Sequence, residues 1–260
     1  MLGDSMTISV RFRVLASALA LVAGIAGSTQ AQADNTKLYM TGSGDPWGMN
    51  GGDQAMDIAF GAGNWDKVNG FDVSKLTAGY SFIYLDGGDG TSTEFNNFMT
   101  ANLAAVESYV TGGGHIMLNA ARWDQPDLNL GFGTTLNSGY AGFAALTADG
   151  LAAGLDADGA GNGWSGDSFS HDTVGGVTTC YVVGDSGCAF GSKGNLFVGG
   201  QTDPGFQSNG AYQLRANELK LAANGEGAVP EPASWALMLI GFGTVGGAMR
   251  ARRRAMVSFG

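Results

Sequence analysis

The alternation of apolar and polar positions divides the chain into short buried runs separated by turns rich in glycine and aspartate. Lys37-Leu-Tyr-Met-Thr41 reads as a short strand ending in Gly42-Ser-Gly-Asp-Pro46, and Tyr80-Ser-Phe-Ile-Tyr-Leu85 as a second that runs into Asp86-Gly-Gly-Asp-Gly90. Phe95, Phe98, Met99, Leu103, Val106 and Val110 then recur at helical spacing, behind Thr91-Ser-Thr-Glu94, which has the spacing of a capping box. Gly112-Gly-Gly114 stops that helix, and His115-Ile-Met-Leu-Asn119 follows as a buried strand. Strand, helix, glycine stop and strand make a βαβ unit, the building block of parallel sheets with helices on both faces.

The second half is less regular. Its Gly, Ala and Asp content gives modest helical character around Gly142 to Leu155, and a hairpin is expected within Thr173 to Phe190. A strand at Asn195-Leu-Phe-Val-Gly199 and a turn through Gln201-Thr-Asp-Pro204 precede a helix from about Asn209 to Ala223, with Ala211, Leu214, Leu219 and Leu221 facing a core. No internal repeat of fixed period is present.

Both ends break this pattern. Arg11 and Arg13 precede the apolar run Val14 to Ile25, which has the length of a signal-peptide core, and Ala31-Gln32-Ala33 before Asp34 fits an A-x-A cleavage site. Residues 1–33 are therefore expected to be removed between Ala33 and Asp34, with signal peptidase and the Sec machinery as partners. At the other end, Trp235 to Met249 is apolar, and a basic cluster follows it. A short transmembrane helix over about 235–251 is expected, its positive end in the cytoplasm.

Charge sharpens the picture. Between Asp34 and Val229 there are 21 acidic and 7 basic residues, while Arg11, Arg13, Arg250, Arg252, Arg253 and Arg254 supply the remaining positive charge. A body so acidic repels phosphate backbones, which argues against nucleic acid as a partner. Export also bears on the two cysteines, Cys180 and Cys188, which lie eight positions apart on either side of a Gly-Asp-Ser-Gly turn. In an oxidising compartment they should pair across the hairpin.

The C-terminal stretch carries Pro230-Glu231-Pro232, Trp235-Ala236, Gly241-Phe242-Gly243 and the terminal Arg252-Arg253-Arg254. It resembles the PEP-CTERM sorting signal of Gram-negative bacteria, in its PEPxxWA subtype. That resemblance implies a substrate of an exosortase-type membrane peptidase. Such a protein is held in the inner membrane with its body in the periplasm, processed near the motif, and delivered to the outer surface or exopolysaccharide matrix. The implied organisation is a signal peptide over 1–33, one domain over 34–224, a linker over 225–229 and the sorting signal over 230–254.

The central domain carries Tyr84-Leu-Asp-Gly-Gly88, Val110-Thr-Gly-Gly-Gly-His-Ile-Met-Leu-Asn119, Leu196-Phe-Val-Gly-Gly200 and Leu214-Arg-Ala-Asn217. These motifs resemble the class I glutamine-amidotransferase-like fold, which includes the ThuA-like proteins. The resemblance implies an α/β, flavodoxin-like three-layer sandwich with a mainly parallel sheet. Amidotransferases of this kind place a nucleophilic Cys on the turn after the strand at 115–119, whereas that turn here is Ala120-Ala121-Arg122. An inactive or binding version of the fold is expected.

Two classes of function remain. The first is a non-catalytic surface protein that binds exopolysaccharide through Trp47, Trp65, Trp123 or Trp164. The second is an envelope hydrolase using a non-standard pair such as His171 with Asp172, or Arg122 with Asp124, at the sheet's carboxyl edge. Asp86, Asn119, Arg122, Asp124 and His171 are the candidate ligand-binding residues, with His171 read as a surface histidine. Asp156-Ala-Asp-Gly-Ala-Gly-Asn-Gly-Trp-Ser-Gly-Asp167 reads as an exposed turn, with a calcium site at Asp156, Asp158 and Asp167 as the alternative, since its carboxylates imitate an EF-hand loop. No other cofactor is expected.

Overall fold

A computed structural model describes residues 36–207 and 210–225, with the side chain of Asp167 left out. Four strands and the helices between them follow the expected βαβ plan. They are β1 (Lys37–Thr41), α1 (Gly51–Phe60), β2 (Asp66–Asn69), β3 (Phe82–Asp86), α2 (Ser92–Thr111) and β4 (His115–Asn119). The next elements are β5 (Leu128–Gly131), β6 (Thr134–Leu146), α3 (Ala148–Ala152), β7 (Gly163–Gly175), β8 (Thr179–Gly184) and β9 (Gly187–Lys193). The described chain closes with β10 (Leu196–Gly199) and α4 (Ala211–Asn224).

All the strands join one sheet in the order β2-β1-β3-β4-β10-β9-β8-β6-β5, with β7 paired to β6. Its two halves differ. From β2 to β10 every neighbouring pair is parallel, whereas β10-β9, β9-β8, β8-β6, β6-β5 and β6-β7 are antiparallel. The sheet is therefore mixed, not mainly parallel. Parallel neighbours need a crossover between them, and the one from β4 to its parallel neighbour β10 carries the antiparallel strands β5 to β9.

In the parallel half, side-chain alternation buries both faces. Tyr39, Phe82, Tyr84, Met117 and Phe197 pack on one side with Met56 of α1 and Leu214 and Leu219 of α4. Leu38, Met40, Ile83, Leu85, Ile116, Leu118, Leu196 and Val198 face the other side, against Phe95, Phe98, Met99 and Val106 of α2. Each such fully buried Leu, Ile or Phe contributes about 1.5–3 kcal/mol relative to exposure, and together they make this half three layers deep.

Two local expectations are corrected. The helical character around 142–155 is instead the end of the long strand β6 followed by the five-residue α3. Alanine has the highest helix propensity, but propensity is a weak bias, and pairing with both β7 and β8 outweighs it here. The capping box at Thr91 and Glu94 does not close either. Thr91 makes no side-chain cap, while Glu94 reaches across to accept hydrogen bonds from the N–H (2.7 Å) and hydroxyl (2.6 Å) of Ser43. Glu94 thus pins the loop after β1 to the start of α2.

The hairpin forms as expected. Cys180 on β8 and Cys188 on β9 are disulfide-bonded, with Cα atoms 5.9 Å apart. Among the described residues no helix is long and apolar enough to cross a membrane. The expected signal peptide, its Ala33/Asp34 site, and the sorting segment with its span lie outside the described residues.

Candidate functional site

Register brings the carboxyl ends of four strands level. Thr41 pairs with Asp86, Asp86 with Asn119, and Asn119 with Gly199. Two of the expected residues therefore meet here, and Asn119 donates to Asp86 Oδ1 at 3.3 Å. The Tyr39 hydroxyl donates to Asp86 Oδ2, also at 3.3 Å. Asn119 also exchanges two hydrogen bonds with the backbone of Gln201, donating to its carbonyl at 2.9 Å and accepting from its N–H at 3.1 Å.

Below this edge lies a buried ionic network that sequence reasoning missed. Arg215 donates to Glu218 (3.0 Å), the Tyr84 hydroxyl (2.8 Å) and Gln201 Oε1 (2.7 Å), and Gln201 Nε2 donates to Glu218 (2.6 Å). Burial pushes the Asp86 carboxyl up to about 6, and the charge of Arg215 holds it from rising further. Burial likewise raises Glu218 against the pull of Arg215. The signal that could have found this network is a pair of charges three residues apart on the same face of α4 as Leu214 and Leu219.

His171 and Asp172 do not form a pair. As neighbours on β7 they project to opposite sides. Asp172 takes the Arg122 backbone N–H (2.6 Å), its Nε (3.3 Å) and one terminal nitrogen (2.7 Å). The other guanidinium hydrogens go to Asn96, Pro126 and Leu136, so all five of Arg122's side-chain donors are used. Arg122 also does not pair with Asp124, which is exposed at a left-handed backbone position, φ 51°. Burial raises Asp172 while Arg122 works to keep it charged. Arg122 is a fixed structural hub and leaves no donor for a ligand.

His171 is buried rather than superficial, 9% exposed. Its Nδ1 lies 3.3 Å from Asp89 Oδ1, which also accepts the Trp123 N–H at 3.1 Å. The imidazole sits between two indoles, edge-on to Trp123 at 4.4 Å and to Trp47 at 5.9 Å. Trp47 continues edge-on to Phe206 (5.6 Å), and Trp123 to Tyr140 (6.0 Å). Gly88 lets Trp47 lie there, because a Cβ at that position would strike the indole. The other two tryptophans go elsewhere: Trp164 is buried in the core, and Trp65 packs edge-on to Tyr39 at the periphery of that core. Asp89, although it stands in the glycine-rich turn after β3, was missed because its side-chain partners, Trp123 after β4 and His171 on β7, are distant along the chain.

The turn after β4 carries Ala120 and Ala121, both fully buried. Among the described residues no Ser, Thr or Cys side chain hydrogen-bonds to His171. What remains is one imidazole-carboxylate pair inside a row of aromatic rings. Of the calcium loop, Asp156 and Asp158 are exposed and Asp158 lies 3.9 Å from Lys220. Among the described residues, no group of three His, Cys, Asp or Glu side chains is placed to hold a metal ion.

Comparison with known proteins adds one positive finding. Residues 228–254 match the family model described as the PEP-CTERM protein-sorting motif. No curated protein matches the chain. Among solved structures, the chain is similar to a GMP synthase component of Thermoplasma acidophilum. The identity is 12% and the TM-score 0.43, with 70% of this chain and 92% of that one covered.

Proposed function

We propose that this is an exported envelope protein, held by its C-terminal tail, cut by an exosortase-type peptidase in the PEPxxWA manner, and delivered to the cell surface or exopolysaccharide matrix. The match at 228–254 carries this reading. Its physical basis is the order of parts in the sequence: a Pro-Glu-Pro segment whose prolines resist joining a helix, an apolar run of marginal length, and arginines that cannot shed their charge to cross the bilayer. The domain at 34–224 then acts as a non-catalytic binding module, its working surface the aromatic row at the carboxyl edge. Buried Ala120-Ala121 where a nucleophile would stand, and the fully engaged Arg122, support this reading.

A second reading, an envelope hydrolase acting on a glycan, is favoured by one observation: the contact of His171 with Asp89 is an acid-base pair with its orienting carboxylate already in place. It would be discarded if His171→Ala and the parent release reducing sugar equally from every substrate tried.

The sorting reading is tested by Glu231→Ala and, separately, by removing Arg250 to Arg254, in a host carrying the peptidase. Unprocessed protein retained in the inner membrane is expected for both. If both variants are trimmed and reach the surface like the parent, the tail is only an anchor.

A further inference from the structure

We propose that the row Phe206, Trp47, His171, Trp123 and Tyr140 is a binding site for a neutral polysaccharide, with Asp89 as its hydroxyl acceptor. The inference rests on the reading of the domain as a binding module and adds the class of ligand. Neighbouring ring centroids along the row are 4.4 to 6.0 Å apart. The rings at its ends are open to solvent: Trp123 is 52% exposed, Tyr140 48% and Phe206 42%. Large aromatic side chains at such exposure, held edge-on either to the buried imidazole or to an indole that touches it, make a stiff apolar surface that loses little entropy on binding.

Polar groups set into that surface narrow the occupant. Asp89 Oδ1 is engaged by Trp123 and His171, while Oδ2 accepts no hydrogen bond from the described residues. A side chain 39% exposed therefore offers a free acceptor next to the backbone of Trp123. Alternating apolar faces and hydroxyl donors are what a sugar chain presents, whereas a lipid or an apolar helix would leave the carboxylate desolvated without a partner. Charge narrows it again. The body between Asp34 and Val229 carries 21 acidic and 7 basic residues, and its field repels uronate or sulfate polymers. The chain itself leaves from the opposite edge: α4 ends beside His115 at the start of β4, where His115 Nδ1 contacts the Ala222 carbonyl at 3.1 Å and Gly225 lies against the same ring. The described chain thus ends on the edge of the sheet opposite the row.

The test is affinity electrophoresis of the full chain in mild detergent, through gels containing dextran, a mixed-linkage β-glucan, galactomannan or the anionic polymer alginate. At least one neutral polymer should retard the parent and alginate should not. Trp123→Ala and Tyr140→Ala should each weaken that retardation about tenfold, the scale of one lost aromatic contact with its burial, and Trp123→Phe should largely restore it. Both positions are half exposed, so neither change empties a core site, and an unchanged unfolding midpoint would show it. No retardation by any neutral polymer, retardation by alginate alone, or variants that bind like the parent would each overturn the proposal. So would sedimentation showing a dimer that Trp123→Ala dissociates, since the row would then be covered by a second copy. Purified protein is used, so failure of sorting in cells leaves this result unaffected, and absence of binding leaves the sorting reading standing.

Discussion

At Asp86 burial and the charge of Arg215 pull in opposite directions, and burial wins, lifting the carboxyl from 3.8 to about 6. A carboxyl whose native pKa lies above its unfolded value keeps its proton in the fold after the unfolded chain has released it. Its contribution to stability is therefore full below about pH 4, is lost as pH rises to about 6, and is flat beyond. The gap corresponds to roughly 3 kcal/mol. Asp86→Asn keeps one acceptor for Asn119 and removes the charge, so its stability relative to the parent should grow between pH 4 and pH 6 and then level off. Urea unfolding across that range checks this, and a difference independent of pH would defeat it. Asp86 and Asn119 were legible as candidates because both end buried strands, but Arg215, whose charge acts on Asp86, lies 129 positions from it along the chain. The same distance effect misassigned Arg122, whose partner Asp172 is on another strand while the nearby Asp124 is exposed.

At the scale of elements, the hairpin β8-β9 combines a legible turn with a crosslink. The register pairs Val183 with Cys188 and Cys180 with Gly191, with shifts between Cys180 and Val183, so the cysteines meet diagonally and not as a direct cross-strand pair. Closing so short a loop limits the unfolded chain by about 2.5 kcal/mol in the chain-entropy treatment. The double variant Cys180→Ser with Cys188→Ser should lose about that much in denaturant unfolding. Unreduced, denatured parent should take up no alkylating agent, and mass measurement showing two labels would reject the bond in exported protein. Elsewhere in this half the period of the pattern misled, because β6 is rich in Ala and Gly and its strand state comes only from β5, β7 and β8 on its flanks.

For the whole molecule, the ends of the described chain and the aromatic row lie on different edges of the sheet. The described chain enters at Thr36 and leaves at Gly225 beside His115, both at the amino edge, while the aromatic row occupies the other. Processing at each end would then leave the row untouched. If the A-x-A segment is read by signal peptidase, exported protein should begin at Asp34; N-terminal sequencing that found residues 1–33 on exported material would defeat that expectation.

The sequence alone determined what depends on local order: the period-2 runs of the parallel strands, the helix at 92–111 with its glycine stop, the cysteine spacing, and the sorting motif, which is a linear pattern of residues along the chain. Tertiary structure decided what depends on which distant groups share a low-dielectric space. The antiparallel half of the sheet arises from pairing energies between strands that carry no distinctive period of their own. The ionic network of Asp86, Arg215 and Glu218, and the row of rings around His171, exist because loops after β1, β3, β4 and β10 converge with β7 on one edge. Buried charges and stacked rings gain their energy from proximity in space, and no spacing along the chain encodes that proximity.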